Sequence, residues 1–294
     1  MKKIVSILLV IVTAFSFTAC KKKKQTSEVA DSLDKKTVYT SFYAMYDFTK
    51  TIAEGTIIEV INLVPSGVEP HDWEPTASDI KDLSKADGII YNGNGMEGWI
   101  DKIKEAANGV KTLEASDYIM TINDEGATDP HVWLSPQNAK MQMNAITEFL
   151  CEIEEKYTEK FKANLSAVSE KIDELDNDFK IMVKDSTKRD IIVTHGAYAY
   201  LCNVYGIKQT AIEGIVGESD PSPEKLASVV RFANSNDIKY VFYTNGESDK
   251  TAKAIAEEIG GQAAVLNSFE FDADSRDYVT VMRENLESLR LALQ

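Results

Sequence analysis

"YTEKFKANLSAVSEKIDELDNDFKIMVK", residues 157–184, carries apolar side chains at Tyr157, Phe161, Leu165, Val168, Ile172, Leu175, Phe179 and Met182. The steps are three or four residues, the period of one buried helical face. No Gly or Pro lies between Pro136 and Gly196, so nothing in the stretch forces a break. The spacing predicts one unbroken helix over Thr158–Lys184, roughly 40 Å long at about 1.5 Å per residue. A lone coiled-coil arm would show the same stripe but would leave the flanking regions unconnected. A helix packed against both flanks is the expectation, a rigid spine that limits how far they can swing.

Both flanks alternate strand and helix patterns. Before the stripe, "TVYTSF" (37–42) and "IIEVINLV" (57–64) are β-rich. "TASDIKDLSKA" (76–86) reads as a helix with Thr76 as N-cap and Asp79 three residues on, a variant capping box. "GIIYNG" (88–93) is a short buried strand, followed by a helix near Met96–Ala107. A helix capped by Ser135, with Pro136 at its first position, then runs toward the stripe. Beyond it, "DIIVT", "KQTAIEGI", "IKYVFYT" and "QAAVLN" read as strands. They alternate with helices in "AYAYLCNVY", "SPEKLASVVRFANS", "SDKTAKAIAEEI" and "DYVTVMRENLESLRLAL". Alternation of this kind implies mostly parallel sheets flanked by helices. The expected fold class is therefore α/β in two lobes, residues 37–157 and 185–294, joined by the long helix 158–184.

The beginning of the chain reads differently. Met1-Lys2-Lys3 precedes an apolar run from Ile4 to Ala19, shorter than the roughly 20 residues that span a bilayer. This is the pattern of a secretory signal peptide over 1–19. It ends "FSFTAC", and Thr18-Ala19-Cys20 fits the site where a bacterial lipoprotein receives its lipid, although Phe17 stands where Leu is usual. Cys20 is thus the candidate lipidation residue, the alternative being cleavage after Ala19 without an anchor. Residues 20–36, "CKKKKQTSEVADSLDKK", have almost nothing to bury and read as a flexible tether. The four lysines suit anionic headgroups or a merely solvated spacer.

The formal net charge is −15, from 32 Lys and Arg against 47 Asp and Glu. Such an acidic body argues against nucleic acid as a partner and attracts cations. Two further cysteines, Cys151 and Cys202, lie in apolar helical patterns. They read as buried free thiols, although an extracytoplasmic disulfide is conceivable.

The chain has only three histidines, and two sit in the same setting: "EPHDWEP" (69–75) and "DPHVWLSP" (129–136). The third, His195, ends the strand "DIIVT" ahead of Gly196. His71 follows a β-run across a short loop, and His131 precedes the helix that opens at Pro136. Sites in α/β sheets gather beyond the carboxyl ends of strands, so all three are expected to face one crevice, two from the first lobe and one from the second. Pro70 and Pro130 stiffen the approach to each ring. Trp73 and Trp133 read either as walls of the site or as ordinary packing aromatics.

Three separated neutral imidazoles are suited to zinc or another borderline metal. H-E-x-x-H, C-x-x-C, Walker, dinucleotide-binding and nucleophile-elbow motifs are all absent. A zinc hydrolase would need an open metal position and a free general base, for which Glu69 or Glu247 would have to serve.

"EPHDWEPTASDIKDLSKAD", "DPHVWLSPQNA", "VTHGAYAYL" and "NSFEFDADSRDYVTVMRENL" together resemble the metal-binding receptors of bacterial ABC importers, the ZnuA/TroA-like family. The resemblance implies two α/β lobes joined by a long helix, and metal ligands at His71, His131 and His195. It also implies a late acidic ligand: "VLNSFE" (265–270) is similar to the "VLNPLE" of zinc-binding members and points to Glu270. Ser268 replaces the usual Pro, which would leave the loop laxer and let Asp272 or Asp274 compete. The His-rich loop of many zinc members is missing here, leaving only carboxylates such as Asp124 and Glu125. An acid common after "IKYVFY" is Thr244.

The resemblance implies an extracytoplasmic, lipid-anchored, monomeric receptor that performs no bond chemistry and hands Zn2+ to a membrane permease. The alternative cargo is Mn2+ or iron. A surface adhesin is a further class that the fold could support.

Overall fold

Strand β1 (Lys36–Thr40) lies between β2 (Ile58–Asn62) and β3 (Gly88–Tyr91), and β4 (Lys111–Glu114) completes a four-stranded sheet in the order β2-β1-β3-β4. All three pairings are parallel. Helices α1 (Tyr43–Ala53), α2 (Ala77–Leu83) and α3 (Ile100–Ala106) are the crossovers. The structure, a computed structural model, describes residues 35–294 apart from 125, 216–220 and 273. The expected signal peptide, Cys20, most of the tether, and Glu125 lie outside the described residues.

Strand β3 is buried at every position, as a central parallel strand covered on both faces should be. Gly88 opens it because helix α4 (Pro136–Ile153) presses close: a Cβ there would stand 2.8 Å from the Phe149 ring. A small hairpin, β5 (Asn123–Asp124) and β6 (Ala127–Thr128), intervenes between β4 and α4.

Helix α5 runs unbroken from Thr158 to Asp185. Phe161, Ile172, Leu175 and Phe179 on its inner face are fully buried. At roughly 1.5–3 kcal/mol per side chain, they contribute on the order of 10 kcal/mol before chain entropy is counted. Its apolar face shares one core with Val38 and Ile90 of the first sheet and Val193 and Phe242 of the second. Polar contacts fasten it to both sides. Asn164 Nδ2 donates to the carbonyls of Ile52 and Glu54 at the end of α1. Asp176 accepts from Tyr205 Oη at 2.9 Å, and Phe179 stacks on the Tyr205 ring.

The second sheet is built from β7 (Asp190–Val193), β8 (Lys208–Ala211), β9 (Tyr240–Tyr243) and β10 (Gln262–Val265), again all parallel. Its order is β10-β9-β7-β8. Numbered within its own half, that is the same arrangement as the first sheet. Helices α6 (Ala199–Tyr205), α7 (Pro223–Ser235) and α8 (Lys250–Glu258) connect it, and α9 (Tyr278–Ala292) closes the chain against α5 and α1. The α/β class, the two sheets and the long helix agree with the sequence reading.

Several boundaries differ from expectation. "TVYTSF" was expected to be strand throughout, but β1 stops at Thr40 and Phe42 begins α1 without a side-chain cap. That missing start signal is why α1 was not foreseen. Helix α3 begins later than Met96 because the Glu97 carboxylate is engaged in the preceding loop, accepting from Asn92 N–H at 2.8 Å and Gly93 N–H at 2.9 Å. The capping box at Thr76 and Asp79 is formed, and Ser135 and Ser222 cap α4 and α7. Cys151 and Cys202 are free thiols, and burial pushes the Cys202 thiol up to about 12. Among the described residues no helix is long and apolar enough to cross a membrane.

Candidate metal centre

Four loops beyond the carboxyl ends of strands converge between the two sheets. His71 follows β2, His131 follows the small hairpin, His195 follows β7 and Glu270 follows β10. Their ligand atoms all lie within 4.8 Å of one another. His131 Nε2 is 3.4 Å from His71 Nε2, 3.1 Å from His195 Nε2 and 3.0 Å from Glu270 Oε1. Glu270 Oε1 is 3.5 Å from His71 Nε2 and 3.7 Å from His195 Nε2. Donors about 2.0–2.1 Å from a tetrahedral zinc stand about 3.3–3.4 Å apart, close to these five separations, and the sixth pair, His71 and His195, lies within 4.8 Å.

Hydrogen bonding alone cannot account for this convergence. Three partners surround His131 Nε2, which can carry at most one proton. His131 Nδ1 is already committed, since it donates to Asp129 Oδ1 at 2.7 Å and the same oxygen accepts the His131 backbone N–H at 2.9 Å. A carboxylate on Nδ1 fixes the ring and turns the Nε2 lone pair toward the centre, the usual support of a metal-bound histidine. A single cation at the centroid would satisfy all four donor atoms at once.

Burial and charge are uneven around the centre. His131, His195 and Glu270 are buried, while the His71 side chain keeps 5% exposure and forms the solvent side. Burial works to lower the His131 pKa, but Asp129 and Glu270 prevail and hold it up at about 9. Burial likewise works to raise Glu270, and the three imidazoles outweigh it, leaving the carboxyl well below its usual range. Around them, burial pushes Glu247 up to about 7 and raises Glu69. Both feel the charge of Glu270, so a positive ion in the site would relieve a crowd of carboxylates.

The loops are held from both halves of the molecule. Tyr200 of α6 donates to the Asp129 carbonyl at 2.9 Å, and Asn92 Nδ2 donates to the Pro130 carbonyl at 2.9 Å. Gly196 after His195 packs against the Gly214 backbone, where a Cβ would come within 3.3 Å. Before Glu270, Phe269 adopts the left-handed region at φ 60°, which is costly for a residue with a large side chain. Its ring, fully buried, packs against Tyr43, Phe48 and Tyr278. Its N–H donates to Asn267 Oδ1, and Asn285 bonds both the N–H and the carbonyl of Asn267. This loop is firmly held, contrary to the laxity expected from Ser268 in place of Pro.

The other candidates are placed elsewhere. Asp272 accepts from Ser275 N–H in an exposed turn, and the Asp274 side chain, 95% exposed, faces Arg276. Neither is in the cluster. The Trp133 ring lies 5.2 Å from that of His131, whereas Trp73 packs edge-on against Trp99, between the main core and a smaller apolar cluster. Thr244 shares a hydrogen bond with Tyr198 Oη, which also donates to the Leu266 carbonyl at the end of β10. It therefore supports the approach to Glu270. The role of Asp129 was missed in the sequence, although an acid two residues before a proline-preceded histidine was its visible signal. His195 Nδ1 and Asp129 Oδ2 are buried without a hydrogen-bond partner among the described residues.

Fold and site together define a two-sheet protein with a closed, nitrogen-rich cation cleft between its halves. Comparison with known proteins is consistent with that class. The chain belongs to the family of the zinc-uptake complex component A, periplasmic, whose family model matches residues 38–292. It is 32% identical over 321 residues to the zinc-binding protein AdcA of Streptococcus pyogenes serotype M3, covering 99% of this chain but 61% of that protein. The chain thus spans about three fifths of the length of that relative. The crystal structure of the metal-dependent lipoprotein YcdH from Bacillus subtilis matches with a TM-score of 0.80 and 34% identity, covering 88% of this chain and 100% of that one. The Zn(II)-bound ZnuA-like domain of Streptococcus pneumoniae AdcA matches with a TM-score of 0.78 and 30% identity, over 88% and 99% of the two chains.

Proposed function

We propose that this chain is the extracytoplasmic zinc-binding receptor of an ABC importer, holding Zn2+ between His71, His131, His195 and Glu270 for delivery to a membrane permease. The observation that carries the reading is the convergence of three imidazoles and one carboxylate, with five of the six donor-atom separations at 3.0–3.7 Å and all within 4.8 Å. Zinc accepts four-coordinate sites of His and carboxylate readily, whereas manganese prefers more oxygen and lies at the weak end of the divalent series. Protein atoms fill all four positions, which leaves none for an activated water, so the protein carries the ion and catalyses nothing.

The same reading assigns the rest of the chain. Residues 1–19 are a signal peptide, Cys20 carries the lipid, and 20–36 tether a monomer to the cell membrane. Residues 37–157 and 185–294 are two lobes, with 158–184 the helix between them. The lipoprotein named among the similar structures supports the anchor. Recognition of a permease would require no nucleic acid and no resident cofactor.

The test is metal content and competition. Protein purified without chelator is expected to retain about one zinc, and zinc should displace manganese at dialysis equilibrium. Glu270→Ala, and alanine at any of the three histidines, should weaken zinc steeply with the fold retained. Preferential retention of manganese by the parent would overturn the zinc assignment. Parent-like zinc binding in two of the three histidine variants would overturn the shared site.

A further inference from the structure

A carboxylate has two oxygens, yet only one of Glu270's faces the three imidazoles. Oε1 is the atom 3.0 Å from His131 Nε2. Oε2 accepts a hydrogen bond from the Ser268 hydroxyl instead. Ser268 is fully buried, and its carbonyl is fixed in turn by Trp133 Nε1 at 2.7 Å. The left-handed Phe269 between them brings the hydroxyl and the carboxylate, two residues apart, into contact. Ser268 and the Glu270 side chain are both fully buried, so the hydroxyl and Oε2 pair with each other away from bulk solvent.

We propose that Ser268 is a specificity-determining residue: its hydroxyl detains Oε2 and makes Glu270 a one-oxygen ligand, holding the bound cation at four donors. The inference rests on the zinc-receptor reading above and deepens it. A free carboxylate beside a divalent ion can swing to offer both oxygens, which raises coordination to five and suits cations that prefer oxygen-rich shells. A hydroxyl donating to Oε2 opposes this swing twice. It restrains the carboxylate plane, and it draws charge from the oxygen that would otherwise approach the ion. Without it, Oε2 becomes a buried acceptor lacking a donor, and the cation is the nearest positive charge that can satisfy it.

The experiment compares the parent with Ser268→Ala and with Ser268→Thr, which keeps the hydroxyl. X-ray absorption at the zinc edge counts the light-atom donors, and cobalt substitution reports four-coordination through intense visible bands. Zinc and manganese dissociation constants are measured on the same samples. The parent and Ser268→Thr should show four donors. Ser268→Ala should show five, with weaker cobalt bands and a zinc-over-manganese preference reduced by about tenfold, the equivalent of one charge-assisted hydrogen bond. Four donors and an unchanged preference in Ser268→Ala would overturn the proposal while leaving the zinc receptor intact. Five donors in the parent would overturn it even if Ser268→Ala failed to fold. Absence of zinc binding by the parent would instead overturn the receptor reading on which the inference rests.

Discussion

Trp133 Nε1 donates to the carbonyl of Ser268 over 2.7 Å, joining the turn that begins at His131 to the loop that ends at Glu270. The two residues come from opposite halves of the chain, and both are fully buried. Tyr278 Oη closes the arrangement by donating to the Trp133 carbonyl at 2.8 Å. The aromatic ring is therefore a coupling between the segments that bear two of the proposed ligands, His131 and Glu270, as well as a packing element.

Trp133→Phe keeps an aromatic ring, removes the donor and leaves a cavity where part of the fully buried indole stood, so its stability loss includes a packing share. The Ser268 carbonyl would be left buried and unpaired, a loss of about 1–3 kcal/mol. Chemical denaturation of the metal-free protein should show that loss. Zinc affinity should fall as well, because His131 and Glu270 would lose their common reference. Unchanged affinity in a destabilised variant would show that the two loops are positioned independently.

Zinc binding should release protons. His131, held up at about 9 by its two carboxylate neighbours, carries a proton at neutral pH in the metal-free protein, and Nε2 must lose it to bind. Affinity should rise with pH until about 9 and then level. The sign for folding is the reverse. Because the folded pKa exceeds the reference value of about 6.5, this group's stabilisation of the metal-free protein is full below about 6.5 and is lost as pH rises through about 9. Calorimetry in buffers of different ionisation enthalpy counts the released protons. A count of zero at pH 7.5 would contradict the assignment.

Asp47 in α1 accepts the N–H of Tyr278 at the start of α9, at 3.1 Å. Burial raises its pKa to about 7 despite that bond. The folded state thus binds the proton more tightly than the unfolded chain, whose Asp titrates near about 3.9. Stability should fall as pH rises from about 4 to about 7 and be flat above, with a total cost of up to about 4 kcal/mol. Asp47→Asn keeps an acceptor and removes the charge. It should be more stable than the parent at pH 8 and lose the slope between pH 4 and 7 in thermal melts.

The long helix should keep lobe motion small. Phe179 of α5 is fully buried and stacks on Tyr205 of the second half, while Asn164 of the same helix caps α1 of the first. Small-angle scattering of metal-free and zinc-loaded protein is expected to give nearly the same radius of gyration. Phe179→Ala should cost about 3–5 kcal/mol and enlarge the difference. A large contraction of the parent on loading would contradict a spine fastened at both ends.

Much of this was legible in the sequence because the signals are local. The stripe from Tyr157 to Met182, the capping box at Thr76 and the Ser-Pro starts at Ser135 and Ser222 are set by neighbours in the chain. The three histidines stood out because there are no others. Helix α1 was not legible, since Phe42 offers no cap and its aromatic flank reads as strand. Strand β4 has its first two residues exposed and is defined only by pairing with β3. The role of Trp133 depends on a partner more than a hundred residues away and that of Ser268 on a turn through a left-handed Phe269, while Asp129 acts on His131 two residues along but is read only once the ring's orientation is known. No periodicity announces such contacts.

The two sheets share one strand order, and each half supplies two of the four donors: His71 and His131 from the first, His195 and Glu270 from the second. Half a site is a poor chelator. In the proposed site, affinity belongs to the seam rather than to either side of it, and falls as a whole when the seam widens. Unloading such a carrier would not demand a stronger competitor for the ion. A small, evenly applied parting of the halves would convert a tight tetrahedron into two weak pairs.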